Sequence, residues 1–390
     1  MSAVDVEAAA TASSVYEDVL QDAPIVDAPQ PRTVLFAEAV TIDEADVAPK
    51  RLATFGRQEW SDLGLASASG LAVAIFLSTL LDWGGLLGPV MWWLVSTLVI
   101  YRVVVGSSAG SVVATDRVMT IAIMIGASIS VAALIWLVGF VVVKGLPELR
   151  PGFFTSDMST VGPLDSGGGA YHAIVGTVEQ VGIATIIAVP AAILTAVYLH
   201  EIKGRGAGVI RFFVEAMSGL PSIVAGLLVY TVWILQLGQG FSGIAAAVAL
   251  TILMLPTVTR TAEEILRTVP GSLREASLAL GAPEWRVALR VVLPTARSGL
   301  ITAAILGIAR AIGETAPILL TASFSSSTNT NPLSGKQASL PMFVYQLVRQ
   351  PNKTQLDRAW TGALVLLLLV LTMFVLARTI GERGKKKRGG

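Results

Sequence analysis

Gly271 to Ala322 reads GSLREASLALGAPEWRVALRVVLPTARSGLITAAILGIARAIGETAPILLTA, and it sets a polar, helix-forming loop directly against an apolar stretch long enough to cross a bilayer. Ser272, followed three residues later by Glu275, makes a capping box. Gly281 supplies a left-handed stop, and Pro283 opens a second short helix expected to end near Pro294. From about Gly299 to Ala322 the chain turns apolar, yet Arg310 and Glu314 stand near the middle of that stretch. A charge at the bilayer centre costs on the order of 2.5–3.5 kcal/mol on insertion scales, so neither residue is expected to face lipid. The two lie four apart on one side of a helix, and Pro317 would leave the carbonyl of Gly313 free beside them.

The composition agrees with a chain built for a membrane. Hydrophobic residues make up 53% and charged residues 14% of 390, and the mean hydropathy is +0.70, which is too apolar for an ordinary soluble domain. With no cysteine, disulfides, thiolate metal sites and cysteine nucleophiles are all excluded. The two histidines, His172 and His200, are too far apart in sequence to suggest a zinc site, so no metal is expected.

Residues 1–60 differ from the rest, being rich in Ala, Asp, Glu and Pro with no long apolar run. They read as a disordered acidic cytoplasmic tail, either a plain solvated segment or a docking arm. A secretory signal peptide is not expected there, because the basic start and apolar core are missing. Apolar segments follow at about Leu63 to Leu81, Leu86 to Val105, Val118 to Val143, Ala173 to Leu199, Phe212 to Leu237, Gly243 to Val258, Gly299 to Ala322 and Thr361 to Ile380. At roughly 20 residues per crossing these are about eight spans, the first pair joined by a tight turn at 82–85 and the sixth interrupted by Pro256. Gly219, Pro221 and Gly226 mark a kink in the fifth.

Lysine and arginine set the expected orientation. With the N-terminus inside, the inner pieces hold Lys203, Arg205, Arg211, Arg260, Arg267, Arg274, Arg286, Arg290 and Arg297, and the basic tail at 382–390, while the outer pieces hold few. Both termini and the loop at 259–298 are then cytoplasmic. The outer loops, about Lys144 to His172 and Ser323 to Trp360, read either as spacers or as a surface that meets something outside. Glu179 and Glu215 fall toward the ends of their spans, where they either face a cavity, snorkel, or, for Glu215, pair with Arg211.

Soluble-enzyme motifs are not found: His200 and Glu201 do not continue into a metalloprotease helix, Gly335 and Lys336 lack the rest of a phosphate loop, and Gly204, Gly206 and Gly208 lack the strand of a dinucleotide site. The chain is therefore expected to bind no nucleotide, to have no catalytic residue, and to meet no nucleic acid.

EASLALGAPEWRVALRVVLP resembles the cytoplasmic loop of ATP-binding-cassette importer permeases, matching it at Glu275, Ala276, Ser277, Gly281, Val291, Leu293 and Pro294. Ser277 stands where that pattern has Ala, and both are small. MSGLPSIVAGLLVY from Met217, IARAIGETAPILLTA from Ile308 and SLPMFVYQL from Ser339 are similar to phosphate-specific transport permeases, nearest to the PstA subunit family. The resemblance implies an all-α polytopic protein with a type I importer transmembrane domain. A six-span core would occupy 118–381 and about two additional spans 61–117. It implies a coupling helix that fits a groove on an ATPase subunit, drawn from Glu275, Ala276, Ser277, Leu278, Gly281, Ala282, Leu293 and Pro294. It also implies a phosphate path touching Arg310 and Glu314. The implied partners are a second, PstC-like permease, a PstB-like ATPase homodimer that holds ATP and magnesium, and a PstS-like extracytoplasmic phosphate-binding protein, all at the bacterial inner membrane.

The residues allow parts of this independently. Ala276, Ser277, Ala279, Gly281 and Ala282 permit close backbone approach, while Leu278, Leu280 and Trp285 are apolar anchors in a loop that should be polar. The alternative role for Glu275 is to cap its own helix. A guanidinium suits a tetrahedral oxyanion, since its planar donors can grip two oxygens. Glu314 would hold Arg310 in the empty site and accept a hydrogen bond from protonated phosphate in the filled one. The competing view is an intrahelical ion pair, although Arg before Glu is the weaker order. Permeases for sulfate or molybdate, and an ion-coupled secondary transporter using Glu314 or Glu179 as a proton site, remain alternatives at this point.

Overall fold

The computed structural model describes residues 56–81, 85–162 and 164–386. The acidic segment lies outside them as far as residue 55, as do 82–84 of the tight turn and 387–390 of the basic tail. Among the described residues every regular element is helical. Among the described residues, seven helices are long and apolar enough to cross a membrane, and a bent pair makes an eighth candidate crossing. These correspond one for one with the eight apolar segments of the sequence, although the first begins earlier than Leu63, at Arg57.

The first compact unit extends to Ile125 and contains α1 (Arg57–Leu80), α2 (Leu87–Ala109) and the start of α3 (Ser111–Gly145). Gly70 lets α1 and α2 meet closely, for a Cβ there would stand 2.8 Å from the Thr97 backbone nitrogen. Tyr101, Val105, Ala66, Ala114, Val118 and Ile121 form its buried core, and Arg117 is paired with Glu59.

In the second unit come α4 (Pro151–Thr155), α5 (Tyr171–Val197), α6 (Ala207–Ser218), α7 (Ser222–Val229) and α8 (Gly243–Arg267). After them follow α9 (Gly271–Ala279), α10 (Glu284–Val287), α11 (Leu293–Ile312), α12 (Ala316–Thr321), α13 (Leu340–Val348) and α14 (Lys353–Lys386). Alanine spacing explains the centre of this unit. Ala184, Ala188, Ala192 and Ala196 recur every four residues on α5 and are buried, as are Ala245, Ala246, Ala247 and Ala249 on α8. Small faces of this kind let membrane helices approach until dispersion contacts hold them. Pro221 ends the helix before it and opens α7, and the kink expected there is a bend of 107° between α6 and α7.

The two long loops are built structures and not slack spacers. Met158 donates its amide to the Ser326 carbonyl, Arg358 is bonded to the Asp165 carbonyl, and Leu340 donates to Thr177 Oγ1 at 2.8 Å. Phe153, Met158, Ala173, Leu340 and Phe343 share one apolar cluster beneath them. Close approach is strictest at Gly176, where a Cβ would come within 2.0 Å of the Ala338 carbonyl oxygen. Gly176→Val is accordingly expected to cost about 1–3 kcal/mol by overpacking, read as a lower thermal midpoint of the purified protein in detergent.

Asp157 ties the same loops. It accepts from the hydroxyl and amide of Ser159 at 2.7 and 3.1 Å and from the amide and hydroxyl of Thr328 at 3.1 and 3.0 Å. These donors, the Ser159 hydroxyl foremost, hold its carboxyl well below the usual carboxylate range. A carboxylate whose folded pKa lies below its unfolded one adds stability above the unfolded value, near ~4, that is lost as pH falls toward the folded value. Exchange of the Thr328 and Ser159 amides, corrected for intrinsic rate, should therefore quicken as pH drops below about 4. In Asp157→Asn that dependence is expected to vanish.

Candidate functional site

Pro270 fixes the start of α9. Its backbone, at φ −56° and ψ 130°, stands just outside the helix, which begins at Gly271. The expected capping box is therefore not made. Ser272 falls inside the first turn and not at the cap, no side chain caps the helix, and Glu275 lies exposed partway along it. The stop at Gly281 is as expected: its φ is +80°, its amide donates to the Leu278 carbonyl at 2.9 Å, and the Ala282 amide donates to the Ser277 carbonyl at 3.3 Å. That pair of bonds closes a Schellman end, which needs a residue at ease in the left-handed region.

No residue of α9 is buried. Glu275, Ala276, Leu278 and Gly281 are exposed, and Ser277 and Ala282 are half-buried. Leu280 is 89% exposed, and Leu273, Leu278 and Trp285 also present large apolar surfaces to the surroundings. None of the nine residues of this helix is buried, although it lies on a loop of charged residues, so its leucines form part of an exposed apolar surface.

Leu293 and Pro294 correct a second expectation. The chain does not break there; it stays helical from Glu284 to Ile312, with a π-helical turn at Ala288–Val292 immediately before Pro294. A proline inside an α-helix collides with the carbonyl four residues back, and the widened π turn supplies the room. The end of the loop, from Glu284, and the Arg310 region are thus one helical rod of 29 residues.

That rod ends at Ile312, so the expected unbroken span to Ala322 is also corrected. Gly313 and Glu314 make short-range bonds to the carbonyls of Arg310 and Ala311, Thr315 precedes α12, and Pro317 sits in the first turn of α12, where its missing amide costs nothing. The break thus comes before the proline rather than from a carbonyl the proline frees. Arg310 stands in the last turn before the break and Glu314 lies within it. Their ion pair is long, 3.9 Å from Nε to Oε1, and Arg310 also reaches Thr257 Oγ1 at 3.4 Å. The Arg310 side chain is 57% exposed while Glu314 is 16% exposed, so the guanidinium is loosely held and available.

Other carboxylates are occupied elsewhere. Arg211 pairs with Glu263 at 2.7 Å and not with Glu215, which is exposed. The reason is geometric, since Arg211 faces α8, where Glu263 is nearly enclosed. Glu179 accepts from Gln337 Nε2 at 2.5 Å, and Gln180 donates to the side chain and backbone of Gln337 at 3.1 and 3.3 Å. Reading the sequence alone missed Glu201, which binds Arg274 of α9 through both oxygens at 2.8 and 2.6 Å. The two stand 73 positions apart, and no local pattern joins them.

Residues 188–385 match the family model for the binding-protein-dependent transport system inner membrane component. The phosphate transport system permease protein PstA 1 of Mycobacterium tuberculosis is 42% identical over 262 residues, covering 67% of this chain and 86% of that protein. PstA of Pasteurella multocida is 37% identical over 248 residues, covering 63% and 86%. Among solved structures, a chain of the inward-facing MetNI methionine ABC transporter has a TM-score of 0.45 at 21% identity, over 55% of this chain and 94% of that chain. From the extent of the sequence match, this chain belongs to the binding-protein-dependent transport system inner membrane components, in the PstA family of phosphate transport permeases.

Proposed function

We propose that this chain is one half of the membrane pathway of an ATP-driven phosphate importer, and that α9 is the part an ATPase subunit grips. The observation that carries the reading is an exposed apolar helix, α9, joined through the Gly281 turn to one end of a continuous helical rod whose other end carries a loosely held arginine. In this reading Glu275, Ala276, Ser277, Leu278, Gly281 and Ala282 form or shape the docking face, while Leu293 and Pro294 belong to the rod that carries its displacement. Arg310 meets the anion with its planar donors, and Glu314 keeps the guanidinium placed. ATP and magnesium sit on the partner ATPase homodimer. A second homologous permease completes the pathway, and an extracytoplasmic phosphate-binding protein delivers the cargo at the end formed by the interlocked loops. Both termini and α9 face the cytoplasm in this reading, which the distribution of lysine and arginine supports. The two spans at 61–117 are an addition to the six-span core at 118–381.

Relatives named as phosphate transport permeases support the substrate. The test uses vesicles holding the complete complex. Uptake of labelled phosphate should need ATP on the ATPase side and persist without an ion gradient, and excess sulfate or molybdate should not compete. Uptake driven by a gradient without ATP would place the chain among secondary carriers. Competition by sulfate or molybdate would change the anion.

A further inference from the structure

Helix α9 buries nothing, yet it must hold a defined position if a partner's push on it is to move the spans. Its covalent ends supply two anchors, Pro270 and the left-handed Gly281, and both are turns. Beyond them, one strong polar contact joins it to a different crossing. Arg274 donates from Nε and Nη2 to Glu201 Oε2 and Oε1 at 2.8 and 2.6 Å. Glu201 sits in the π-helical turn Tyr198–Ile202 that extends α5, and its side chain is 4% exposed. His200 Nδ1 donates to the same carboxylate at 2.8 Å. A bidentate guanidinium–carboxylate pair resists both shear and rotation, and an enclosed carboxylate cannot trade its partner for water without loss.

We propose that Glu201 and Arg274 are positioning residues that tether α9 to α5, so that displacement of α9 moves two crossings together. One route is the rod from Glu284 to Ile312, which carries Arg310. The other is α5 through Glu201, whose far end holds Glu179 and Gln180 against the Gln337 segment. Without the tether α9 pivots on its end turns, and its motion reaches only the first route. The proposal rests on the reading of α9 as the ATPase contact.

The experiment measures phosphate moved per ATP hydrolysed by the reconstituted complete complex with Glu201→Gln, Arg274→Gln, and the exchanged pair E201R with R274E. Each single change should lower that ratio at least about fivefold with the ATPase still co-purifying, and the exchange should restore part of it. Arg274→Lys, which keeps the charge but not the fork, is the second variant if Glu201→Gln does not assemble. A ratio unchanged in Glu201→Gln and Arg274→Gln would overturn the proposal, as would equal losses in both singles and the exchange. The tether is also read without substrate, from chymotrypsin cleavage at the exposed Trp285, which should quicken in Glu201→Gln. Unchanged cleavage there would overturn it whatever the substrate is. A wild-type complex that hydrolyses ATP but carries no phosphate would instead strike the functional reading.

Discussion

Arg310→Gln is expected to lower phosphate uptake roughly tenfold to a hundredfold, since a charge-assisted hydrogen bond contributes about 1.5–3 kcal/mol. The complex should assemble normally. Arg310 is 57% exposed and reaches Glu314 and Thr257 only at 3.9 and 3.4 Å, so the protein loses little internal bonding when the charge is removed. A glutamine retains hydrogen-bonding ability but neither the positive charge nor the fork. Labelled phosphate uptake, with ATPase co-purification as the control for assembly, checks the result. Uptake at the wild-type level would make the pair a structural brace and take Arg310 off the path.

Leu280→Asp should cost the ATPase contact at least about 2 kcal/mol, a loss of roughly thirtyfold in affinity. Leu280 is 89% exposed at the end of α9, next to the Schellman turn, so the substitution removes no internal packing and the isolated chain should melt unchanged. A buried charge at an interface is expensive because nothing in an apolar groove replaces its water. Retention of the ATPase on an affinity column carrying the variant chain is the measurement. Wild-type retention would move the docking face off this end of the helix.

Most of the architecture was legible because bilayer thickness constrains it. Eight apolar segments became seven long helices and one bent pair, although the seventh runs from Glu284 to Ile312 rather than from Gly299 to Ala322. The residues around Gly281 were legible for a similar reason, because a glycine followed by Ala and Pro at a helix end leaves few backbone choices. Legibility failed where the outcome depended on what lay beside the chain. Ser272 matched a capping box, but Pro270 started the helix too early for it. Pro294 looked like a stop, and the π turn before it removed the clash. Pro317 looked like a proline inside an unbroken span that frees the Gly313 carbonyl, whereas the chain had already left the helix at Gly313. Arg211 had a carboxylate four residues away and used one on α8 instead. The tie between Glu201 and Arg274 is of the same kind: local spacing names candidates, and tertiary geometry decides between them.

The break between α11 and α12 also bears on how such a chain survives its own synthesis. Lipid offers no partners for the amides and carbonyls of an interrupted helix, nor for the guanidinium beside it, so this stretch is tolerated only against protein or water. A newly inserted copy with no companion would therefore present a polar wound inside the bilayer, of the sort that membrane-bound proteases and insertion chaperones recognise. Its cellular lifetime should then be set by the supply of its companion permease, and expression of this chain alone should yield less protein than co-expression, at equal messenger levels.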